Sequence, residues 1–177
     1  MAAPEPFTGV VSHTPMRHHI LSVLVENKAG VLARVAGLFA RRGFNIYSLA
    51  VAPADDHQRF SRITIVVDAE SAPLEQIKGQ LNKLVNVVDI QDLAPREALE
   101  RELLLATVPV GESTRAAVMD AVAQANAAIV DVGPDAVTVM LASTPTACDA
   151  LERRLESFAH VALHRTGRVA LPRLSGN

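Results

Sequence analysis

One pattern of apolar periodicity occurs twice in this chain, and few folds can carry it. Residues 19–25 are an apolar, largely β-branched run, and an amphipathic stretch follows to Arg42. Two more strand-like runs cover 45–52 and 61–67, a second amphipathic stripe spans 72–85, and 87–93 completes the set. The order is strand, helix, strand, strand, helix, strand. It returns with strands at 103–110, 128–132, 136–142 and 161–165, and with helices at 113–126 and after Thr144-Pro145. Matching elements are offset by roughly 70–80 residues, the mark of an internal duplication. A βαββαβ unit is the split-βαβ, ferredoxin-like arrangement. Right-handed crossovers put both of its helices on one face of an antiparallel sheet. The predicted class is therefore α+β, with two consecutive ferredoxin-like units at 18–93 and 102–171. A charged linker is expected at 94–101, a disordered tail at 1–17 and a loose tail at 172–177.

In the first unit the helix stripe is Leu32, Val35, Leu38 and Phe39, and Gly43 is a natural stop. Asn27 stands where an N-cap would start that helix at Lys28 or Ala29. The second stripe is Leu74, Ile77, Leu81, Leu84 and Val85. In this fold the first and third strands are central, which suits their apolar runs. The second strand is then an edge, yet Asn45–Ala52 carries no charge. Soluble proteins usually defend such an edge with Lys, Pro or a bulge. The undefended edge predicts a homodimer joined sheet to sheet through 45–52, with Tyr47, Leu49 and Val51 on the pairing strand.

The chemistry that the chain does not advertise narrows its function. A net charge of -2 and 3% aromatic residues argue against a nucleic-acid binder, which needs a basic patch or stacking rings. The six histidines show no metal-ligand spacing, and no metal site is expected. Cys148 is the one cysteine and has no neighbouring base; it reads as a packed thiol. No nucleophile elbow, phosphate loop or dinucleotide fingerprint occurs, so no catalytic residue is expected. No apolar run approaches the roughly 20 residues of a membrane span, and the N-terminus lacks a signal-peptide pattern. A soluble, cytoplasmic protein is expected.

What remains is a binding turn. Glu26-Asn27-Lys28-Ala29-Gly30 joins a strand to a helix, where unpaired N–H groups and the positive end of the helix dipole suit a carboxylate. Gly30 permits close approach of a ligand, and the amides of Asn27 and Asn45 both donate and accept. Each has a plain structural alternative: a cap, a backbone relief, a polar strand entry. Taken together they suit an α-amino acid, provided the fold brings the turn near the start of the edge strand, as expected here. Val31, Leu32 and Ile46 would then line an apolar side-chain pocket.

The segments HHILSVLVENKAGVLARVAGLFARRGFNIYSLAVAPADD, SRITIVVDA and LEQIKGQLNKLVNVVDIQDL closely resemble the small regulatory subunit of acetolactate synthase. In the second half AAIVDVGPDAVTVMLAST and ALHRTGRVAL resemble the same family. The likeness covers about residues 18–171. It implies an ACT domain, a ferredoxin-like amino-acid sensor, at 18–93 and an ACT-like domain after it. It implies a non-catalytic subunit that binds and activates a large catalytic subunit, which condenses two pyruvates to 2-acetolactate with loss of carbon dioxide. It implies feedback inhibition by valine in branched-chain amino-acid biosynthesis. No cofactor is expected on this chain; thiamine diphosphate, Mg and FAD are expected on the catalytic partner. The family's effector contacts carry over to Asn27, Ala29, Gly30, Val31, Leu32, Asn45 and Ile46, at an interface between two ACT domains. The rival expectation is a stand-alone amino-acid sensor acting on another enzyme or on a transcription factor.

Overall fold

Strand β1 (His18–Glu26) is apolar on both sides because it is covered on both sides. The protein is described from a computed structural model that covers residues 18–68, 74–94 and 96–174. β1 lies between β3 (Phe60–Asp68) and β4 (Val87–Leu93), and β2 (Ile46–Pro53) pairs only with β3. The strand order is β2-β3-β1-β4, all neighbours antiparallel. Helices α1 (Val31–Arg42) and α2 (Leu74–Leu81) lie on one face. Alternate residues of β1 then divide between two cores. Leu21, Val23 and Val25 meet Val35, Phe39, Ile77 and Leu81 on the helix side. Ile20 meets Val66, Leu93, Ala98 and Ala170 on the other.

The second unit repeats the first. Its strands are β5 (Ala98–Pro109), β6 (Ala128–Val132), β7 (Ala136–Ser143) and β8 (Ala162–Arg165), in the order β6-β7-β5-β8. Helices α3 (Glu112–Gln124) and α4 (Pro145–Glu156) supply Val118, Val122, Cys148, Leu151 and Leu155 to its core. Thr144 caps α4, accepting the Ala147 N–H at 3.3 Å, with Pro145 at the first helical position, as expected. Two α+β ferredoxin-like units in tandem are thus the observed class. Cys148 is buried as predicted, and burial raises its thiol pKa.

Four expectations need correction. Residues 98–101, expected as linker, are the start of β5, and they pair with a ninth strand, β9 (Val169–Pro172), which is not among the expected strands and takes in Pro172 from the expected tail. This two-stranded ribbon covers the second face of the N-terminal sheet through Ala98 and Ala170. The helix of the first unit starts at Val31, three residues after Lys28, with Gly30 and not Asn27 as N-cap. Its buried stripe accordingly includes Val31 and excludes Leu32, which is 43% exposed. The described part of α2 ends at Leu81, and Val85 lies outside the stripe at 95% exposure. The expected tail at 1–17, the expected start of α2 at 72 and residues 175–177 lie outside the described residues.

Candidate functional site

The turn after β1 is held by neighbours and leaves its helix start open. Asn27 donates its backbone N–H to Arg59 O and its side-chain Nδ2–H to Gln58 O, each at 2.8 Å. These bonds bind the turn to the β2–β3 hairpin tip. There Asp55 accepts the Phe60 N–H at 2.9 Å and pairs with Arg59, and the Phe60 bond holds its carboxyl below the usual range. Gly30 has φ +82°, a left-handed conformation, with nothing within 4 Å of where a Cβ would stand. No side chain caps α1. Val31 N–H reaches Lys28 O, and the first turn-to-helix bond runs from Arg34 N–H to Gly30 O. Among the described residues no acceptor meets the Leu32 and Ala33 N–H groups. These are orphan donors at the positive end of a 12-residue helix.

Charges ring this opening. Glu26 takes Lys28 Nζ at 3.1 Å and Asn86 Nδ2 at 2.5 Å, and Asn86 Oδ1 accepts from Arg34 Nη1 at 2.7 Å. The Asn86 bond, then Lys28, lowers the Glu26 pKa. Arg34 on α1 is thus tied back to β1 through Asn86, a residue with no periodic or motif signal in the sequence. Arg34, Asn86 and Gln58 were not among the expected site residues. Their role depends on long-range placement.

The other half of the expected site lies elsewhere. Asn45 is exposed just before β2, and Ile46 is half-buried against the core. β1 and β2 are both antiparallel to β3, so they run in the same direction. Ile46 is level with Val67, and Val67 with His19, whereas Asn27 follows Glu26, which is level with Phe60. Seven strand steps separate His19 from Glu26, about 24 Å at ~3.4 Å each. The expectation that one chain brings Asn27 and Gly30 near Asn45 is therefore wrong. The turn and the strand start sit at opposite ends of the sheet, joined by α1, about 18 Å long. Val31 is also withdrawn from any pocket, being 4% exposed in the core. Ala29 and Leu32 are exposed beside Gly30. On the edge strand Tyr47 and Val51 are 40% and 44% exposed, while Leu49 packs partly on the core. Among the described residues no strand pairs with β2 on its outer side.

Both units have counterparts among known proteins. Residues 21–89 match the family described as the AHAS small subunit-like ACT domain, and residues 101–174 match the small subunit of acetolactate synthase. The acetolactate synthase small subunit of Mycobacterium bovis is 48% identical over 155 residues, 88% of this chain and 92% of that one. The chain belongs to the acetolactate synthase small subunit family. A Mycobacterium avium small subunit is 51% identical over 143 residues, covering 81% of this chain and 85% of its own length. The chloroplastic small subunit 2 of Arabidopsis thaliana is 41% identical over 158 residues, 89% of this chain and 32% of that longer protein. The crystal structure of the Thermotoga maritima small subunit superposes with a TM-score of 0.82 at 33% identity, over 91% of this chain and all of that one. Members of this small-subunit family are regulatory and non-catalytic. No group of three or more His, Cys, Asp or Glu stands ready for a metal among the described residues. No helix there is long and apolar enough to cross a membrane.

Proposed function

We propose that this chain pairs with a second copy through β2, holds valine between the two copies, and so regulates the large catalytic subunit of acetolactate synthase. The observation that carries this is the separation of the two half-sites. Asn27, Ala29, Gly30 and Leu32 lie at one end of the sheet, Asn45 and Ile46 at the other. Antiparallel pairing of two β2 strands across a two-fold axis turns one sheet end for end. It sets Asn45 of one copy at the end where Gly30 of the other lies. The open Leu32 and Ala33 N–H groups suit the carboxylate of an α-amino acid, and the asparagine oxygens suit its ammonium group. Leu32 and Ile46 remain to meet an aliphatic side chain.

Regulation is then a population shift. The dimer without effector favours an arrangement that activates the catalytic subunit, and valine favours a less activating one. The shift is limited by valine's differential affinity for the two arrangements. Micromolar to millimolar sensing corresponds to about 4–8 kcal/mol of binding. Thiamine diphosphate, Mg and FAD belong on the catalytic partner in this scheme, and the chain contributes none of the bond-making groups.

The test is acetolactate formation by the catalytic subunit, with and without this chain, across a panel of amino acids. Activation by the chain and inhibition by valine are expected. Gly30→Asp should keep activation and lose inhibition. Asp tolerates the left-handed backbone better than most residues, and a Cβ has room there. The added charge then repels the effector carboxylate without unfolding the turn. Full valine sensitivity in Gly30→Asp would sink the placement of the pocket. Asn27→Ala and Asn45→Ala should each weaken valine by about 1.5–3 kcal/mol, the range for bonds to charged groups.

A further inference from the structure

The start of β2 is gripped by the C-terminal unit. The turn between β8 and β9 presses on Tyr47, Ser48 and Leu49. Arg168 donates its backbone N–H to Ser48 Oγ at 2.8 Å. Its guanidinium stands over the Tyr47 ring, 4.9 Å from the centroid. The His18 ring stacks on Tyr47 at 4.2 Å. Glu100 Oε2 and His18 Nδ1 each lie 3.4 Å from Arg168 Nη1. The Arg168 side chain is only 12% exposed, so its contact with the ring is largely desolvated and stronger than a surface one. Gly167, at φ +80°, brings the turn closer than a side chain allows: a Cβ there would stand 2.8 Å from Ser48 Oγ and 3.3 Å from Leu49 O.

The other side of this turn is rigidly held. Thr166 exchanges bonds with Leu103, its N–H donating to Leu103 O and its Oγ1 accepting the Leu103 N–H, both at 3.1 Å. Arg165 pairs with Glu102 on β5 and with Asp149 and Glu152 on α4, at 2.8, 2.6 and 3.0 Å. Any shift of the turn therefore moves with β5 and α4. On the N-terminal side the β2–β3 ladder changes register between Ile46 and Ser48. Tyr47 sits at that irregularity, which is the kind of break that re-aims a side chain. It is two residues from Asn45.

We infer that the Gly167–Arg168 turn is a latch that carries effector occupancy at the Asn45 end of β2 into the C-terminal unit. This rests on the valine site proposed above and adds the route by which its occupancy is felt. A ligand that repositions Asn45 and Ile46 moves Tyr47, and Tyr47 moves the Arg168 turn with β5 and α4 behind it. Coupling between two sites is a free energy, and it needs contacts that differ between two states. Arg168 on Tyr47 supplies such a contact without touching the effector.

The test uses the full chain reconstituted with the catalytic subunit, as wild type, Arg168→Met and Ser48→Ala. Valine binding is read by calorimetry and inhibition by acetolactate formation. Arg168→Met should bind valine within about threefold of wild type, because it lies outside the effector contacts. Its coupling should fall toward one from the roughly 5–150-fold typical of allosteric pairs, leaving turnover near its uninhibited rate at saturating valine. Ser48→Ala, which removes only the acceptor for the Arg168 N–H, should show a weaker form of the same loss. It covers the case in which Arg168→Met does not fold. Wild-type inhibition in both variants overturns the latch. So does a loss of inhibition that merely tracks a loss of valine affinity. If the wild-type chain itself binds no valine, the effector site falls first and the latch with it.

Discussion

The two units share one element order and one strand order, but they finish their helix ends, edges and faces differently. In the C-terminal unit Thr144 closes the start of α4, and Thr114 Oγ1 accepts the Gly111 N–H at 3.0 Å at the start of α3. Arg165 ties α4 to β5 and β8. Its edge strand β6 carries the charge of Asp131. In the N-terminal unit α1 starts without a side-chain cap, and the edge strand β2 has no charge. The faces differ in the opposite sense. The second face of the N-terminal sheet is sealed by the β5–β9 ribbon over Ile20 and Val66, whereas Leu105 on the matching face of the C-terminal sheet is 37% exposed. A duplicated fold has been divided between tasks. The N-terminal copy leaves α1 uncapped and its edge strand uncharged where a ligand and a second chain could meet them, whereas the C-terminal copy caps α4 and carries a charge on its edge.

The largest effect expected from this contrast concerns the two sheet faces. Ile20→Ala removes a side chain 1% exposed between sheet and ribbon and should destabilise by about 2–5 kcal/mol. Leu105→Ala on the open face should stay within about 0.5 kcal/mol. Urea unfolding of both variants measures the difference, and equal losses would mean that the faces are not unlike. The edges come next. Val51→Lys charges the exposed side of β2 and should shift the chain from dimer to monomer in sedimentation velocity, whereas Val132→Lys on β6 should not. Leu49 is the poorer choice for this test because it packs partly on the core.

The helix starts should differ more modestly. Thr144→Ala should cost about 1 kcal/mol of stability, within the usual range for a lost cap, and leave inhibition by valine intact. Gly30→Asp should do the reverse. The smallest effect is a pH dependence at the hairpin tip. The Phe60 N–H bond, with Arg59, holds the Asp55 pKa low in the folded chain. Its contribution is therefore present at neutral pH, above the unfolded pKa, and is lost as pH falls through the folded one. The stability difference between wild type and Asp55→Asn should accordingly shrink on acidification below the ordinary carboxylate range.

Local signals are legible in the sequence, and those that depend on distant pairing are not. Thr144-Pro145 marks a helix start by itself, and the apolar runs mark eight of the nine strands among the described residues. The ninth could not be seen, because Val169–Pro172 and Ala98–Arg101 are short and gain strand character only by pairing across some 70 positions. Asn27 has the right chemistry for a cap, but the left-handed Gly30 delays the helix and releases Asn27 to bind the hairpin tip. That delay also moves the buried stripe from Leu32 to Val31. Asn27, Gly30 and Asn45 were recognisable as candidates by type. Their separation was not, since it follows from strand direction and register. In the observed geometry, a site that uses both Gly30 and Asn45 needs a second copy of the chain.

Mixed dimers test that necessity most directly. Gly30→Asp dimers should have no working valine site, and Asn45→Ala dimers only sites too weak to register at a valine concentration that fills the wild type. Mixed in equal amounts and allowed to exchange, they should regain calorimetric valine binding at roughly a quarter of the wild-type site count, since a heterodimer carries one intact site of two. No recovery in a mixture shown to contain heterodimers would mean that Gly30 and Asn45 serve the site from the same chain, or not at all.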